Sequence, residues 1–175
     1  MRKSRKAFTK TAVIAALSLS ASTGLARQPI LNSWTYKEFH DTITGEVTNI
    51  AWLHTLHIAA EYNQNYLYTI QVSCSIGSLV AEVSTSDNYF NPGAVPVDWR
   101  VDNNPPHVND KSWVATRIAG HYIFTRKPKT FINEVLHGQQ LQFRTVDALN
   151  NAINFVVPLT GANGPIQRVL TACND

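Results

Sequence analysis

His54, His57 and Glu61 form the sharpest chemical pattern in this chain. On an α-helix their spacing would put all three on one face, the arrangement that a His/His/Glu metal site needs. On a strand the two histidines fall on opposite faces and the constellation dissolves. The glutamate that follows the first histidine in zinc peptidases is replaced here by Thr55. The stretch Thr42 to Tyr62 decides between the two. Ile50, Leu53, His57 and Ala60 fit a helical face, yet its Thr, Ile, Val and Trp content favours a strand. The expectation is a strand carrying ordinary histidines, with no metal and no cofactor.

Two charged groups could bind rather than react. Asp98, Arg100 and Asp102 alternate with Val97, Trp99 and Val101, so a strand here would present the three charges on one polar face. Arg100, flanked by Trp99 or Trp113, could contact a carboxylate or a carbohydrate. A cross-strand ion-pair ladder, about 0.2–1 kcal/mol per pair, is the plainer explanation. Arg126, Lys127 and Lys129 make a short basic turn that could dock an acidic partner or simply be solvated. Together these six residues are the expected partner surface.

Covalent catalysis finds little support. No serine sits in a Gly-x-Ser-x-Gly elbow, no phosphate-binding glycine loop is present, and no acidic residue adjoins His107 or His121. Cys74 and Cys173 are the two cysteines. An even pair in an oxidising compartment is expected to close a disulfide. A loop of roughly 100 residues closed this way contributes up to about 4.7 kcal/mol in the chain-entropy account.

The elements that must position these groups follow from periodicity. Period-two alternation marks strands at Tyr66 to Cys74, Leu79 to Val83, Val97 to Asp102, Leu141 to Phe143 and Ile153 to Leu159, with a further one at Trp113 to Ile118. One face of each is apolar and the other wetter, which implies antiparallel pairing. Thr130 can cap a helix carrying Phe131, Ile132, Val135 and Leu136, with Gly138 ending it. A last helix starts near Pro165 and lines up Ile166, Val169, Leu170 and Cys173. Cys74 shares the apolar face of its strand, so both thiols point inward. The expected fold is α+β, a mainly antiparallel curved sheet or small sandwich with two short helices and one disulfide.

The first 26 residues read as a secretory signal. Arg2, Lys3, Arg5, Lys6 and Lys10 precede an uncharged run from Thr11 to Ala21, and Gly24-Leu25-Ala26 offers a cleavage site after Ala26. The expected domain is therefore 27–175, of a size to build one core. The formal charge of +3 belongs to that leader. Beyond it stand ten basic and all 12 acidic residues, a balance of −2, which argues against nucleic acid as a partner. No later segment is long and apolar enough for a membrane helix, and neither cysteine lies at the junction where a lipid could be attached. The expected location is the periplasm, or outside the cell.

The order of features also resembles a known family. Trp34, Asp41-Thr-Ile-Thr, Cys74, Val97-Asp-Trp-Arg-Val-Asp102, Trp113, Phe131 to Gln142, Phe155-Val-Val-Pro-Leu-Thr-Gly161 and the ending Ala172-Cys173-Asn174 are similar to the VasI-type small secreted proteins associated with bacterial type VI secretion. Ser75, Pro158 and Asp175 depart from that pattern. The resemblance implies a disulfide-bonded, exported accessory or binding module with a protein partner in the cell envelope and no catalytic residues. The alternatives are an inhibitor or immunity protein against a cell-wall hydrolase, and a small cell-wall hydrolase.

Mass spectrometry of the chain recovered from the periplasm should show loss of residues 1–26. It should also show no thiol reactive to alkylation until the protein is reduced, then two. Retention of the leader, or two free thiols without reductant, contradicts this.

Overall fold

The computed structural model describes residues 31–59, 64–116 and 120–174. Residues 1–30, which include the expected leader, and Glu61 lie outside them. Eleven strands and two helices are present among the described residues. The strands are β1 (Thr35–His40), β2 (Val47–Ala59), β3 (Gln64–Ser75), β4 (Ser78–Thr85), β5 (Gly93–Ala94), β6 (Val97–Val101), β7 (His107–Asp110), β8 (Trp113–Ala115), β9 (Tyr122–Thr125), β10 (Gln140–Val146) and β11 (Ala152–Pro158); the helices are α1 (Pro128–His137) and α2 (Asn163–Asn174).

The strands form two antiparallel sheets, neither closed. The larger runs β1-β2-β3-β4-β9-β8-β5 and the smaller β11-β10-β6-β7. Alternation explains both. Tyr68, Ile70, Val72 and Cys74 lie on the inner face of β3, in register with Thr55, Leu53, Ala51 and Asn49 of β2. From the smaller sheet, Val97, Trp99 and Val101 of β6, Leu141 and Phe143 of β10, and Ile153, Phe155 and Val157 of β11 are buried against it. Stacked rings join the layers: Tyr68 on Phe155 at 4.5 Å between centroids, and Trp113 edge-on to Phe143 at 5.3 Å. This is the antiparallel α+β sandwich that the alternation implies.

The smaller sheet leaves part of the larger one's inner face to α2, which packs on β1 to β4. Ile166 and Val169 fill the interface, and the Cys74–Cys173 disulfide, with Cα atoms 5.5 Å apart, fastens the helix to β3. None of the described helices is long and apolar enough to cross a membrane.

β2 runs as strand through both His54 and His57, as the composition of that stretch implies, so the helical alignment does not arise. The structure corrects other local expectations. Helix α1 starts at Pro128 rather than after a Thr130 cap. Proline pre-sets the backbone for the first turn, and Thr125 Oγ1 instead accepts the N–H of Lys127 at 3.0 Å. The strand at Val97 stops at Val101. Asp102 turns to φ +50° and its carboxylate accepts the N–H groups of Gln139 and Gln140, the latter at 2.8 Å. The strand at Trp113 ends at Ala115, and residues 117–119 lie outside the described set.

Gly138 does end α1, but for a steric reason. Its backbone is extended (φ −97°), and a Cβ there would lie 1.9 Å from Val101 Cγ1. The glycine lets β6 approach the end of the helix. Gly138→Ala should therefore cost about 1–3 kcal/mol by overpacking. In a Val101→Ala background most of that added cost should vanish, as a double-mutant cycle in urea would show.

Candidate functional site

The alternation that buries Trp99, Phe143 and Phe155 turns the intervening side chains outward on the smaller sheet. There they line an open groove of about 640 Å³. Registry arranges the floor in two rows across the strands. In one, Arg100 of β6 stands opposite Gln142 of β10, which stands opposite Val156 of β11. In the other, Asp98 faces Arg144, which faces Asn154. Pro106 and Val108 close the β7 side.

The two arginines are held differently. Arg144 pairs with Asp98, its Nε donating at 3.0 Å and Nη2 adding a second contact to the same oxygen. Asp98 also accepts the Asn109 N–H at 2.7 Å. That bond and the arginine hold its carboxyl below the ordinary carboxylate value. Arg100 donates its Nε to Gln142 Oε1 at 3.0 Å, and among the described residues it has no carboxylate partner. The ion pair expected on this face therefore joins Asp98 to Arg144. Val108 and Val156 are 67% and 53% exposed, large apolar side chains standing in solvent at opposite margins of the groove, Val156 at the end of the Arg100–Gln142 row and Val108 beside Asp98 where the β6–β7 register shifts.

The other expected binding residues are dispersed. Asp102 is spent on the chain entering β10, as described above. Arg126 is exposed, and its N–H bonds Ser112 O. Lys127 lines a smaller cavity of about 280 Å³ with Trp99, His107, Val108, Asp110 and Thr130. Lys129 borders a third depression, between α1 and α2. The cavity with Lys127 shares Trp99 and Val108 with the groove, so of the basic turn only Lys127 reaches the groove's margin.

That smaller cavity is built by stacking. The His107 ring lies on Trp99 at 3.8 Å and its Nε2 is 2.7 Å from Glu134 Oε1, which ties β7 to α1. Trp99 Nε1 donates to Asp110 at 3.1 Å. Burial raises the Asp110 carboxyl, but the Ser112 and Trp99 bonds and the nearby Lys127 outweigh it and leave it lowered. Elsewhere His54 meets Thr69 Oγ1 at 2.8 Å, and burial lowers its pKa. Among the described residues no three His, Cys, Asp or Glu side chains converge as metal ligands.

The sequence reading reached Asp98 and Arg100 but missed Gln142, Arg144, Asn154, Val108 and Val156 as parts of one surface. Gln142 and Arg144 do oppose Leu141 and Phe143 in the alternation, which was the available signal. What it lacks is register: nothing local says that residue 142 will face residue 100.

No protein-family model matches the chain, and no curated protein matches it either. Among solved structures it resembles invasion associated protein B from Bartonella henselae, with a TM-score of 0.52 and 13% identity over 84% of this chain and 98% of that one. At that identity the likeness concerns the fold.

Asp147 holds the β10–β11 hairpin to the loop after β4, accepting from Leu149 and Asn151 N–H at 2.8 Å each and from Asn88 Nδ2 at 3.2 Å. Burial raises its pKa, but the bonds from Asn151, Asn88 and Leu149 prevail and lower it. A depressed folded pKa adds stability above the ordinary carboxylate range, about pH 4, and loses it as pH falls through the folded value. Asp147→Asn should thus cost about 1–3 kcal/mol at pH 7. The gap to wild type should narrow below about pH 4 in urea titrations.

Proposed function

We propose that the chain is an exported binding or accessory protein, acting in the periplasm, that docks a protein partner on the outer face of its smaller sheet. The observation that carries this reading is the groove itself. It sets two exposed valines beside a polar floor whose side chains are already oriented by one another. Exposed apolar groups framing fixed polar ones are what a protein-recognition surface requires.

Three further points support it. The leader-like first 26 residues and the Cys74–Cys173 disulfide suit an oxidising compartment. The groups best suited to acid–base work are engaged in structural bonds, His54 with Thr69 and His107 with Trp99 and Glu134, which favours binding over catalysis. The VasI-type resemblance points the same way, to an accessory of an envelope-spanning secretion machine. The fold is shared with a protein described as invasion associated; the choice of partner rests with the residues of this chain.

Val108→Asp combined with Val156→Asp tests the reading, because both side chains are exposed and their replacement should move stability by only about 0.5 kcal/mol. Tagged wild-type chain should retain a partner through periplasmic purification, and the double variant should lose it with its melting temperature nearly unchanged. Equal retention by both proteins contradicts the docking face. Turnover of peptidoglycan by the purified chain contradicts the non-catalytic role.

A further inference from the structure

We propose that Arg100 anchors a carboxylate in this groove, and that its occupant is an extended partner segment with one acidic residue between two apolar ones. The inference rests on the docking reading above and adds the chemistry of what docks.

Charge complementarity selects the acid. The groove holds two guanidinium groups and one carboxylate, and the carboxylate is committed to Arg144. Arg100 keeps both terminal amino groups free of any acidic partner among the described residues, while Gln142 fixes its Nε. A guanidinium oriented in this way offers a planar pair of donors that matches a carboxylate bidentately. The cost of ordering the side chain is already met before a ligand arrives.

Spacing selects the segment. From Val156 on β11 to Val108 on β7 the groove crosses four strands, three gaps of about 4.8 Å, roughly 14 Å in all. An extended chain repeats its side-chain direction every second residue, about 6.8 Å. Val156 ends the Arg100–Gln142 row, whereas Val108 lies beside Asp98 where the β6–β7 register shifts, so a segment that sets residues i and i+4 near the two valines crosses the sheet on a diagonal. Residue i+2 then comes down at the centre of the groove, between the Arg100–Gln142 and Asp98–Arg144 rows. The pattern read out is apolar-x-acidic-x-apolar.

The probe is the peptide acetyl-Val-Ser-Glu-Ser-Val-amide, titrated into the purified chain and followed by ¹⁵N NMR. Saturable shifts are expected at the Arg100 Nε–H, the Gln142 side-chain amide and the amides of Val108 and Val156. Replacing the peptide's Glu by Gln should weaken binding by about ten- to a hundred-fold, the size of a charge-assisted pair. Arg100→Gln in the protein should do the same while leaving the melting temperature and the fold's amide spectrum intact. The proposal is overturned if the two peptides bind alike, if Arg100→Gln binds as wild type does, or if the shifts map elsewhere. It also falls if free glutarate binds as tightly as the peptide, since the site would then be one for a small acid. Partner capture that depends on Val108 and Val156 but survives Arg100→Gln would remove the carboxylate assignment and leave the docking face standing.

Discussion

The inner face of β3 is the constraint on which the rest of the molecule depends. Tyr68, Ile70, Val72 and Cys74 are each no more than 3% exposed, so this strand buries one face along most of its length. Each such side chain left in water would forfeit about 1.5–3 kcal/mol, and one cover does not span the strand. At one end Tyr68 meets Phe155 of the smaller sheet; at the other Cys74 is bonded to α2. The chain must therefore return twice, once as a second sheet and once as a terminal helix. The disulfide holds the later of these returns in place, joining positions 99 apart in sequence.

That double cover also determines where a binding surface can lie. The four strands of the smaller sheet rest on a continuous aromatic layer, with Phe143 stacked on Phe155 at 5.0 Å and edge-on to Trp113, and with Trp99 against Phe131. Outward side chains on such a base have little freedom to reorganise, which is what precise positioning of a polar group requires. Arg100 and Gln142 sit on the two central strands, each with a paired neighbour on both sides. An arginine on a loop would spend binding energy on being ordered.

How much of this could be read from the sequence follows from the range of each interaction. Alternation is local, so the inward sets on β3, β4, β6, β10 and β11 and the apolar stripe of α2 were legible, and with them the sandwich class and the meeting of Cys74 with Cys173. Register is not local. The pairing of Asp98 with Arg144 depends on how β6 and β10 align across more than 40 positions, and no residue type announces it. Short strands were also missed. β1, β7 and β9 have four to six residues, and the exposed Phe39 and Val108 break any clean inside–outside pattern. Asp102 misled for a related reason: it keeps the alternation of its strand for one residue more than the strand lasts, then turns left-handed to bond the start of β10.

The electrostatics of the groove are local as well. Residues 27–175 carry a small negative balance, so long-range attraction cannot bring an acidic segment to the groove. Charges more than about 8 Å away are largely screened at physiological ionic strength. What an approaching carboxylate would feel is the nearest few groups, and there Asp98 is neutralised by Arg144 while Arg100 is not. An arrangement of this kind contributes little to the rate of encounter and much to discrimination after contact. A neutral segment would cover Arg100 without satisfying it and would bear the desolvation cost. An acidic one would exchange its hydration for two directed bonds between apolar walls. On the docking reading, selectivity would thus come from the Arg100 charge, which has no acidic partner among the described residues, at the centre of a rigid sheet.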